Sequence, residues 1–264
     1  MINNIMKNPT FQQLFNLAGK RALVTGAGRE NGIGAAIAKG LADFGAEIIL
    51  HDKAFESNRV CEQISAAGGV CTMIEQDFSK AGGGRQLIND VYQQFDKVDI
   101  VVLNASYQKV GPFNELTDND VSQQIAINFQ ANFELLQAVL PRLKDQGWGR
   151  VVNIGSVNQR NPKSIVSAYA ASKAATHNLI QSLARDYAPY QVLLNTVAPG
   201  LIDTYPENRA GDSQATASWD DYAEQLNWMK RAGQPQEVVG AALYLASPAC
   251  SFMTGENIFI TGGY

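Results

Sequence analysis

A tyrosine and a lysine stand at positions i and i+4 in an alanine-rich run, Ser167 to Thr176, whose composition favours a helix. Residues at this spacing share one helix face, so the Tyr169 phenol and the Lys173 ammonium can point the same way. A phenol has a pKa of about 10 in water, too high for a base at neutral pH. A nearby ammonium favours the phenolate and lowers that pKa. The pair predicts proton transfer, although the pattern also suits a surface lysine beside a half-buried tyrosine.

Two polar residues upstream of this pair are further candidates for chemistry. Ser156 follows a short apolar run, Arg150 to Ile154, that predicts a strand. Open α/β sheets bind ligands at the carboxyl ends of their strands, so the Ser156 hydroxyl is placed to meet one. Asn128 interrupts an otherwise apolar helical stretch, where a buried amide needs hydrogen-bond partners. Its spacing suits a structural role and a catalytic role equally.

A glycine-rich turn near the amino terminus predicts a phosphate-binding site. It lies between a predicted strand, Lys20–Thr25, and a helical pattern. Glycines let the backbone approach a pyrophosphate, and a helix N-terminus offers free N–H groups and the positive end of its dipole. A plain turn is the other interpretation. The residues of this turn expected to contact a cofactor are Gly26, Arg29, Asn31, Gly32, Ile33 and Gly34.

A carboxylate follows the second predicted strand. Asp52 lies near the position where dinucleotide-binding folds place an acidic side chain on the ribose 2′-hydroxyl. Such a carboxylate accepts hydrogen bonds from the ribose diol and repels a 2′-phosphate, so Asp52 predicts NAD, with NADP the less favoured cofactor. Arg29 and Lys53 favour NADP instead, since either cation could bind a 2′-phosphate.

Seven short apolar runs alternate with helical patterns, at residues 20–25, 45–50, 69–75, 98–103, 150–154, 191–197 and 256–260. This alternation predicts one α/β domain, a Rossmann-like, doubly wound parallel sheet of seven strands with helices on both faces. Polar or small residues after several strands could contact the same cofactor. These are Asp77 and Phe78 beside the adenine, then Asn104, Ala105 and Ser106, and finally Pro199, Gly200, Ile202 and Thr204.

Two segments fall outside this alternation. Residues 1–14 are expected to form an arm that precedes a single domain of residues 15–264. Residues 201–230 are polar with interspersed aromatic side chains, and this irregular stretch is predicted to hang over the end of the sheet as a mobile substrate loop. A peripheral pair of helices that buries those aromatic side chains is the alternative.

The composition argues against several classes of function. The 264 residues carry a net charge of −4, which disfavours binding to nucleic acid or to an anionic membrane surface. Two histidines argue against a histidine-based metal site or a Ser-His-Asp triad, so no metal is predicted. The sequence lacks an apolar membrane span and the apolar core of a secretory signal. The three cysteines are expected to be structural thiols in a reducing cytoplasm.

Taken together, the motifs resemble those of the short-chain dehydrogenase/reductase family over about residues 15–264. The resemblance implies a nicotinamide cofactor, a small-molecule substrate and packing into a homotetramer. It also implies a catalytic tetrad of Asn128, Ser156, Tyr169 and Lys173. The motifs that carry it are Thr25, Gly26, Gly32, Ile33 and Gly34; Asn104 and Ala105; the tetrad; and Pro199, Gly200 and Thr204.

The resemblance implies a role for each member of the tetrad. Tyr169 would exchange a proton with the substrate oxygen while hydride passes between the substrate carbon and the nicotinamide. Lys173 would lower the phenol pKa and bind the nicotinamide ribose, and Ser156 would hold the substrate oxygen. Asn128 would anchor a water molecule near Lys173.

The expected activity is NAD-preferring oxidation of a secondary alcohol, or the reverse reduction, on a sugar, polyol or hydroxy acid. A steroid-like ketone and an acyl-carrier-linked ketone are alternative substrates. A dinucleotide-binding regulator without turnover is an alternative of another class.

The sequence departs from the family pattern in two places. Five residues, Ala27 to Asn31, separate Gly26 from Gly32 where three are usual, so the phosphate turn carries an insertion of two residues. This leaves the contacts of Arg29 open. Ser106 stands where the family usually has glycine, and its side chain could crowd or hydrogen-bond the nicotinamide ribose.

Overall fold

The computed structural model of the chain describes residues 10–209 and 213–263. Most of the predicted amino-terminal arm, residues 1–9, lies outside these ranges. The rest of the arm forms a short helix, α1 (Phe11–Phe15), which begins at a capping box on Thr10. Leu14 accepts a hydrogen bond from the backbone N–H of Ala249 at 2.9 Å, so this part of the arm is held on the domain.

Seven parallel strands form one sheet in the order β3-β2-β1-β4-β5-β6-β7. This confirms the predicted fold class. The order reverses beside β1, where the chain moves from the β1–β3 half of the sheet to the β4–β7 half, and ligands of open α/β sheets bind at such a switch point. The strands are β1 (Arg21–Thr25), β2 (Glu47–Asp52), β3 (Cys71–Glu75), β4 (Ile100–Leu103), β5 (Gly149–Ile154), β6 (Val192–Pro199) and β7 (Asn257–Ile260).

Helices cover both faces of the sheet, as predicted for buried parallel strands. One apolar core lies between the sheet and the pair α2 and α9, and a second lies between the sheet and α4, α6 and α7. After α1, the helices of the described residues are α2 (Ile33–Asp43), α3 (Arg59–Ala66), α4 (Gly83–Gln94), α5 (Asp118–Ile125), α6 (Ala131–Gln146), α7 (Ser167–Tyr187), α8 (Ser213–Leu226) and α9 (Gln236–Ala246).

The long helical stretch predicted around Asn128 is interrupted. Residues Ala126–Gln130 form a π-helical turn between α5 and α6, with Asn128 inside it. The carbonyl oxygen of Asn128 accepts hydrogen bonds from the side chains of Asn132 and Thr176, both at 2.8 Å. These side chains satisfy a carbonyl in the widened turn, and π turns of this kind occur frequently at functional sites.

The segment 201–230 is more regular than predicted. Pro206–Arg209 form a 3₁₀ turn, and helix α8 occupies much of the remainder. The rings of Trp219 and Tyr222 contact each other with centroids 6.3 Å apart. The alternative of a pair of helices that buries the aromatic side chains is met only in part, because the described residues of this segment form one α-helix and Tyr222 and Trp228 are 44% and 83% exposed. Residues 210–212 lie outside the described ranges.

The cysteine prediction is wrong for two of the three residues. Cys61 and Cys71 form a disulfide with their Cα atoms 5.3 Å apart. Helix α3 packs back onto the start of β3, which brings the two side chains together. Cys250 remains a buried free thiol.

Within the described residues, every helix is too short or too polar to cross a membrane. The same residues contain no group of three or more His, Cys, Asp and Glu side chains that could hold a metal ion.

Candidate active site

A cleft of about 170 Å³ opens at the carboxyl edge of the sheet. It gathers predicted site residues from the start of α2, the ends of β4, β5 and β6, and the first turns of α7. The residues that line it are Ile33, Asn104, Ser106, Ile154, Gly155, Ser156, Tyr169, Lys173, Pro199, Gly200, Ile202 and Thr204. Elements far apart in sequence therefore converge on one place, as the strand-end argument predicted.

A larger groove of about 410 Å³ lies beside this cleft, between the loop after Ser156 and the alanine-rich side of α7. Among the described residues that line it, Lys163 is the one with a charged side chain, and its Nζ lies 3.2 Å from the Tyr222 hydroxyl. The groove holds neither the Tyr169 hydroxyl nor the Lys173 ammonium. The smaller cleft is therefore the candidate active site.

Tyr169 and Lys173 share one face of α7, as their spacing predicted. The Lys173 ammonium donates a hydrogen bond to the carbonyl oxygen of Ile154 at 2.8 Å and lies 5.7 Å from the centre of the Tyr169 ring. Burial lowers the pKa of Lys173 to about 8. At neutral pH the side chain still carries its charge beneath the cleft.

The predicted effect of Lys173 on its neighbour is not what the structure shows. Burial raises the pKa of Tyr169, because a site with little water disfavours the phenolate. Hydrogen bonds with Ser156 and Ser106 lower the same pKa and offset part of this rise. The two serine hydroxyls are therefore the contacts that lower the pKa of Tyr169.

Ser156 is fixed by the short turn that it begins. Its Oγ accepts the N–H of Asn158 at 3.1 Å, while its own N–H donates to Oε1 of Gln159 at 3.2 Å. This capping box directs the Ser156 hydroxyl into the cleft, where it hydrogen-bonds the Tyr169 hydroxyl. Gln159 was not predicted as part of the site, although a Ser followed three residues later by Gln is the sequence signature of such a box.

Both the nitrogen and the oxygen of the Asn128 side-chain amide form hydrogen bonds. Nδ2 donates to the carbonyl oxygen of Tyr107 at 2.8 Å and to Oγ of Ser172 at 3.0 Å. Oδ1 accepts the N–H of Tyr107 at 2.8 Å and the hydroxyl of Ser106 at 3.2 Å. Asn128 thus ties the segment after β4 to helix α7. Sequence reasoning missed Ser172, which lies on the same helix as Tyr169 and carried no separate signal.

The glycine-rich turn packs tightly against the end of β4. A Cβ on Gly26 would lie 2.5 Å from the Cα of Ala105, and Gly26 has a φ of 62°. Nδ2 of Asn104 donates to the carbonyl oxygens of Thr25 and Gly26 at 2.9 and 2.8 Å. Helix α2 begins at Gly32 without a side-chain cap, so its first N–H groups remain available to a phosphate.

Thr25 organises this junction and was not predicted as a site residue. Its Oγ1 accepts the backbone N–H groups of Asn104 and Ala105, each at 3.0 Å, and donates to the carbonyl oxygen of Val102 at 3.2 Å. The Thr25 side chain is fully buried. Its position directly before the glycine turn was the signal that could have identified it.

Asp52 and Asp77 lie at the ends of β2 and β3, where an adenosine was predicted. Asp52 accepts the N–H groups of Gly28 at 2.9 Å and Lys53 at 2.7 Å. Asp77 accepts the Ser79 hydroxyl at 2.6 Å, which lowers the pKa of its carboxyl group. Nζ of Lys53 lies 3.5 Å from Asp77, so the structure brings the two carboxylates and one cation to the same end of the sheet.

Phe78 does not offer an open surface to a ligand. Its side chain is 4% exposed and stacks on the buried ring of His51, with centroids 4.3 Å apart. Burial also lowers the pKa of His51 to about 4. Phe78 therefore supports the end of β3 from within the core.

Arg29 and Asn31 point to the segment that follows β6. Nη1 of Arg29 lies 3.3 Å from a carboxylate oxygen of Glu207, and Nδ2 of Asn31 lies 3.3 Å from the other oxygen. The guanidinium also lies 3.3 Å from the centre of the Tyr205 ring. In the structure these two predicted cofactor contacts are engaged by Tyr205 and Glu207 of the segment 201–230.

Known proteins share this architecture. A family model described as Enoyl-(Acyl carrier protein) reductase matches residues 26–264. Gluconate 5-dehydrogenase of Gluconobacter oxydans is 34% identical over 257 residues, which are 95% of this chain and 96% of the relative. The 7alpha-hydroxysteroid dehydrogenase of Escherichia coli is 33% identical over 94% of each chain. A solved structure of a 3-oxoacyl (acyl-carrier-protein) reductase from Agrobacterium tumefaciens with NADP bound is 50% identical, covers 100% of both chains and has a TM-score of 0.91.

Proposed function

The chain belongs to the short-chain dehydrogenase/reductase family of oxidoreductases, and we propose that it transfers hydride between a nicotinamide cofactor and a secondary alcohol or ketone. One observation supports this most strongly. The hydroxyls of Ser156 and Tyr169 line the same cleft as the buried ammonium of Lys173. Two hydroxyls that can hold one substrate oxygen, one of them able to exchange its proton, suit an alcohol–ketone conversion.

The proposed chemistry gives each polar side chain a task. Ser156 donates a hydrogen bond to the substrate oxygen in place of its contact with Tyr169, because the turn uses one acceptor position of its Oγ and leaves the hydroxyl hydrogen to donate. Tyr169 takes the alcohol proton during oxidation and returns it during reduction. Lys173 keeps a positive charge near the phenolate. Asn128 positions the segment after β4, and the water molecule proposed beside Lys173 would relay the proton to solvent.

The residues at the carboxyl edge fit a dinucleotide. The uncapped start of α2 and the glycines Gly26, Gly32 and Gly34 of the turn suit a pyrophosphate. Asp52 keeps acceptor capacity for a ribose diol, since a carboxylate has about four lone-pair positions and two N–H groups use part of them. When bound, the nicotinamide ring supplies the hydride acceptor or donor, which the side chains of the protein lack.

A sugar acid, polyol or related hydroxy acid is the proposed substrate class. Hydroxyl and amide groups of Asn104, Ser106, Ser156 and Thr204 line the cleft, and such groups bind polyhydroxylated molecules. The similarity to a gluconate 5-dehydrogenase supports the same class.

A substrate panel tests this proposal. Purified protein would be mixed with NAD or NADP and with gluconate, neutral polyols or a 7α-hydroxysteroid, and reduced cofactor would be followed by its absorbance. The reverse reaction would be measured with 5-ketogluconate and a 3-oxoacyl thioester. We expect the highest kcat/KM with the sugar acids. A preference for the steroid would overturn the substrate assignment, and inactivity with the whole panel would favour a dinucleotide-binding regulator.

The second candidate substrate is an acyl-carrier-linked ketone. The 50% identity to a 3-oxoacyl reductase structure favours it. The net charge of −4 disfavours it, because docking of an acidic carrier protein calls for a basic surface. A higher kcat/KM with the 3-oxoacyl thioester than with 5-ketogluconate would establish this second candidate.

A preference for NAD is also proposed, on the basis of Asp52. The two cations that could bind a 2′-phosphate already have carboxylate partners, Lys53 with Asp77 at 3.5 Å and Arg29 with Glu207 at 3.3 Å. The NADP in the Agrobacterium structure weighs against this preference, so the measurement is decisive.

The cofactor test compares kcat/KM for NAD and NADP. We expect a ratio of at least about tenfold in favour of NAD, equivalent to about 1.4 kcal/mol. Asp52→Ala should narrow that ratio, because it removes the repulsion of a 2′-phosphate, whereas Asp43→Ala on α2 serves as a charge-matched control. Equal use of both cofactors by the wild type would reject the proposal.

A homotetramer is the proposed assembly, as the family resemblance implies. Apolar side chains of α5 and α6 support it, since Val121, Ile125 and Phe133 are 38%, 38% and 43% exposed on the described chain. Light scattering in solution tests it, with an expected mass of about four times 28.6 kDa.

A further inference from the structure

The insertion in the phosphate turn contacts the substrate loop through one compact cluster. The Arg29 guanidinium lies against the Tyr205 ring on one side and pairs with Glu207 at 3.3 Å. Asn31 donates to the second carboxylate oxygen of Glu207 at the same distance. Glu207 thus binds two side chains of the turn at once, and Tyr205 adds a cation–π contact.

The topology of the sheet determines where this cluster lies. Arg29 and Asn31 belong to the turn after β1, whereas Tyr205 and Glu207 follow β6. Strands β4 and β5 separate β1 from β6 in the sheet. A contact between the two loops must therefore pass over the carboxyl ends of β4 and β5, where the candidate cleft opens.

The cleft lining agrees with this placement. Ile33, shortly after the inserted residues, and Thr204, directly before Tyr205, both line the cleft. The Arg29 and Glu207 side chains are 36% and 48% exposed, so the contact faces solvent rather than the core. A contact of this kind is weak enough to open and close during turnover.

We infer that Arg29, Asn31 and Glu207 form a clasp that holds the substrate loop across the cofactor cleft and slows the exchange of the dinucleotide. The inference rests on the proposed function, because it takes the cleft to be the cofactor site. Arg29 and Glu207 are positioning residues in this account. The two extra residues of the turn give Arg29 and Asn31 the reach to meet a loop from the other half of the sheet.

Cofactor dissociation provides the first test. NADH would be displaced from wild type, Arg29→Ala, Glu207→Gln and the double variant, and its release followed by stopped-flow fluorescence. Each single variant should release NADH about three- to tenfold faster, equivalent to about 0.7–1.4 kcal/mol of barrier. The double variant should add little to either, because both substitutions break the same contact. Arg29→Lys keeps the positive charge, so its NADH release should be slower than that of Arg29→Ala and closer to that of wild type.

Hydrogen exchange of the cofactor-free protein provides the second test. The backbone amides of residues 203–205, 207 and 208 should exchange faster in Arg29→Ala and in Glu207→Gln than in wild type. Arg85→Ala on α4, which removes an exposed arginine bound to Gln137 at 2.7 Å, is the matched control and should change neither readout.

The two tests separate this inference from the proposed function. Unchanged exchange and unchanged release in the single variants would overturn the clasp, as would fully additive effects in the double variant. If the variants exchange faster but the wild type does not bind NADH, the clasp contact stands and its role in cofactor exchange is refuted together with the proposed function.

Discussion

The hydroxyl of Tyr169 meets two serines, and the second distinguishes this chain from the usual family pattern. Ser106 hydrogen-bonds both Tyr169 and the Asn128 amide. A serine has one hydrogen to donate, so its hydroxyl can turn from Asn128 to the phenolate when Tyr169 loses its proton. Ser106 thus gives the Tyr169 phenolate a stabilising hydrogen bond that a glycine at this position could not donate.

Replacing Ser106 by Gly should shift the pH dependence of alcohol oxidation. Oxidation needs the phenolate, so kcat/KM rises with pH through the pKa of Tyr169. Without the Ser106 hydrogen bond that pKa is higher, and the rise should move upward by about 0.5–1 pH unit, as expected for a hydrogen bond of about 1 kcal/mol. The measurement is a pH profile of kcat/KM.

Ser106→Thr keeps a hydroxyl at this position and serves as the control, with a profile close to that of wild type. Superimposable profiles for wild type and Ser106→Gly would show that the contact does not act on Tyr169.

Residue spacing predicted part of this site. The shared helix face of Tyr169 and Lys173 follows from the helical repeat, and the place of Ser156 follows from its strand end. The raised pKa of Tyr169 could not be predicted, because burial depends on all the elements that close over it. The position of Thr25 before the glycine turn was a signal, but its hydrogen bonds to the segment after β4 depend on the tertiary fold.

Helix α4 fixes the position of the π turn through a close contact. A Cβ on Gly84 would overlap the carbonyl oxygen of Ala131, the first residue of α6. Because α6 follows directly on the turn that carries Asn128, this approach of two helices also sets the position of that amide. A side chain added at Gly84 should therefore lower the stability of the protein and displace the Asn128 amide.

Gly84→Ala should lower the free energy of unfolding by about 1–3 kcal/mol, the usual cost of inserting atoms into a packed interface. Gly240→Ala on α9 is the matched control, because a Cβ there meets no atom within 4 Å. That substitution should raise stability by about 0.5–1 kcal/mol, since alanine loses less backbone entropy than glycine in a helix. Urea denaturation measures both, and equal effects of the two substitutions would contradict the packing argument.

At the scale of elements, strands were easier to predict than interruptions. Buried parallel strands read as continuous apolar runs, so all seven were located, with β2 and β6 each ending two residues later than predicted, at Asp52 and Pro199. The π turn has no such pattern, because it differs from an α-helix only in which carbonyl each N–H reaches. The Cys61–Cys71 disulfide was also missed, because it depends on how α3 packs against β3 and no pattern in the sequence shows that packing.

The whole molecule places its chemistry along one edge of one sheet. The alternation of strands and helices was sufficient to predict this architecture, because right-handed crossovers leave few alternatives. Cofactor choice was not settled by the same reasoning. Asp52 disfavours a 2′-phosphate while Arg29 and Lys53 favour one, and only the tertiary contacts show that both cations have carboxylate partners.

The most direct test of the central proposal is the turnover of Tyr169→Phe. This substitution removes the proton-exchanging hydroxyl and keeps the ring. With the preferred cofactor and the best substrate of the panel, we predict that kcat falls at least about 100-fold, the typical contribution of a general acid or base. NADH binding, measured by fluorescence, should persist, and Tyr92→Phe on α4 should retain activity. Wild-type kcat in Tyr169→Phe would contradict the account.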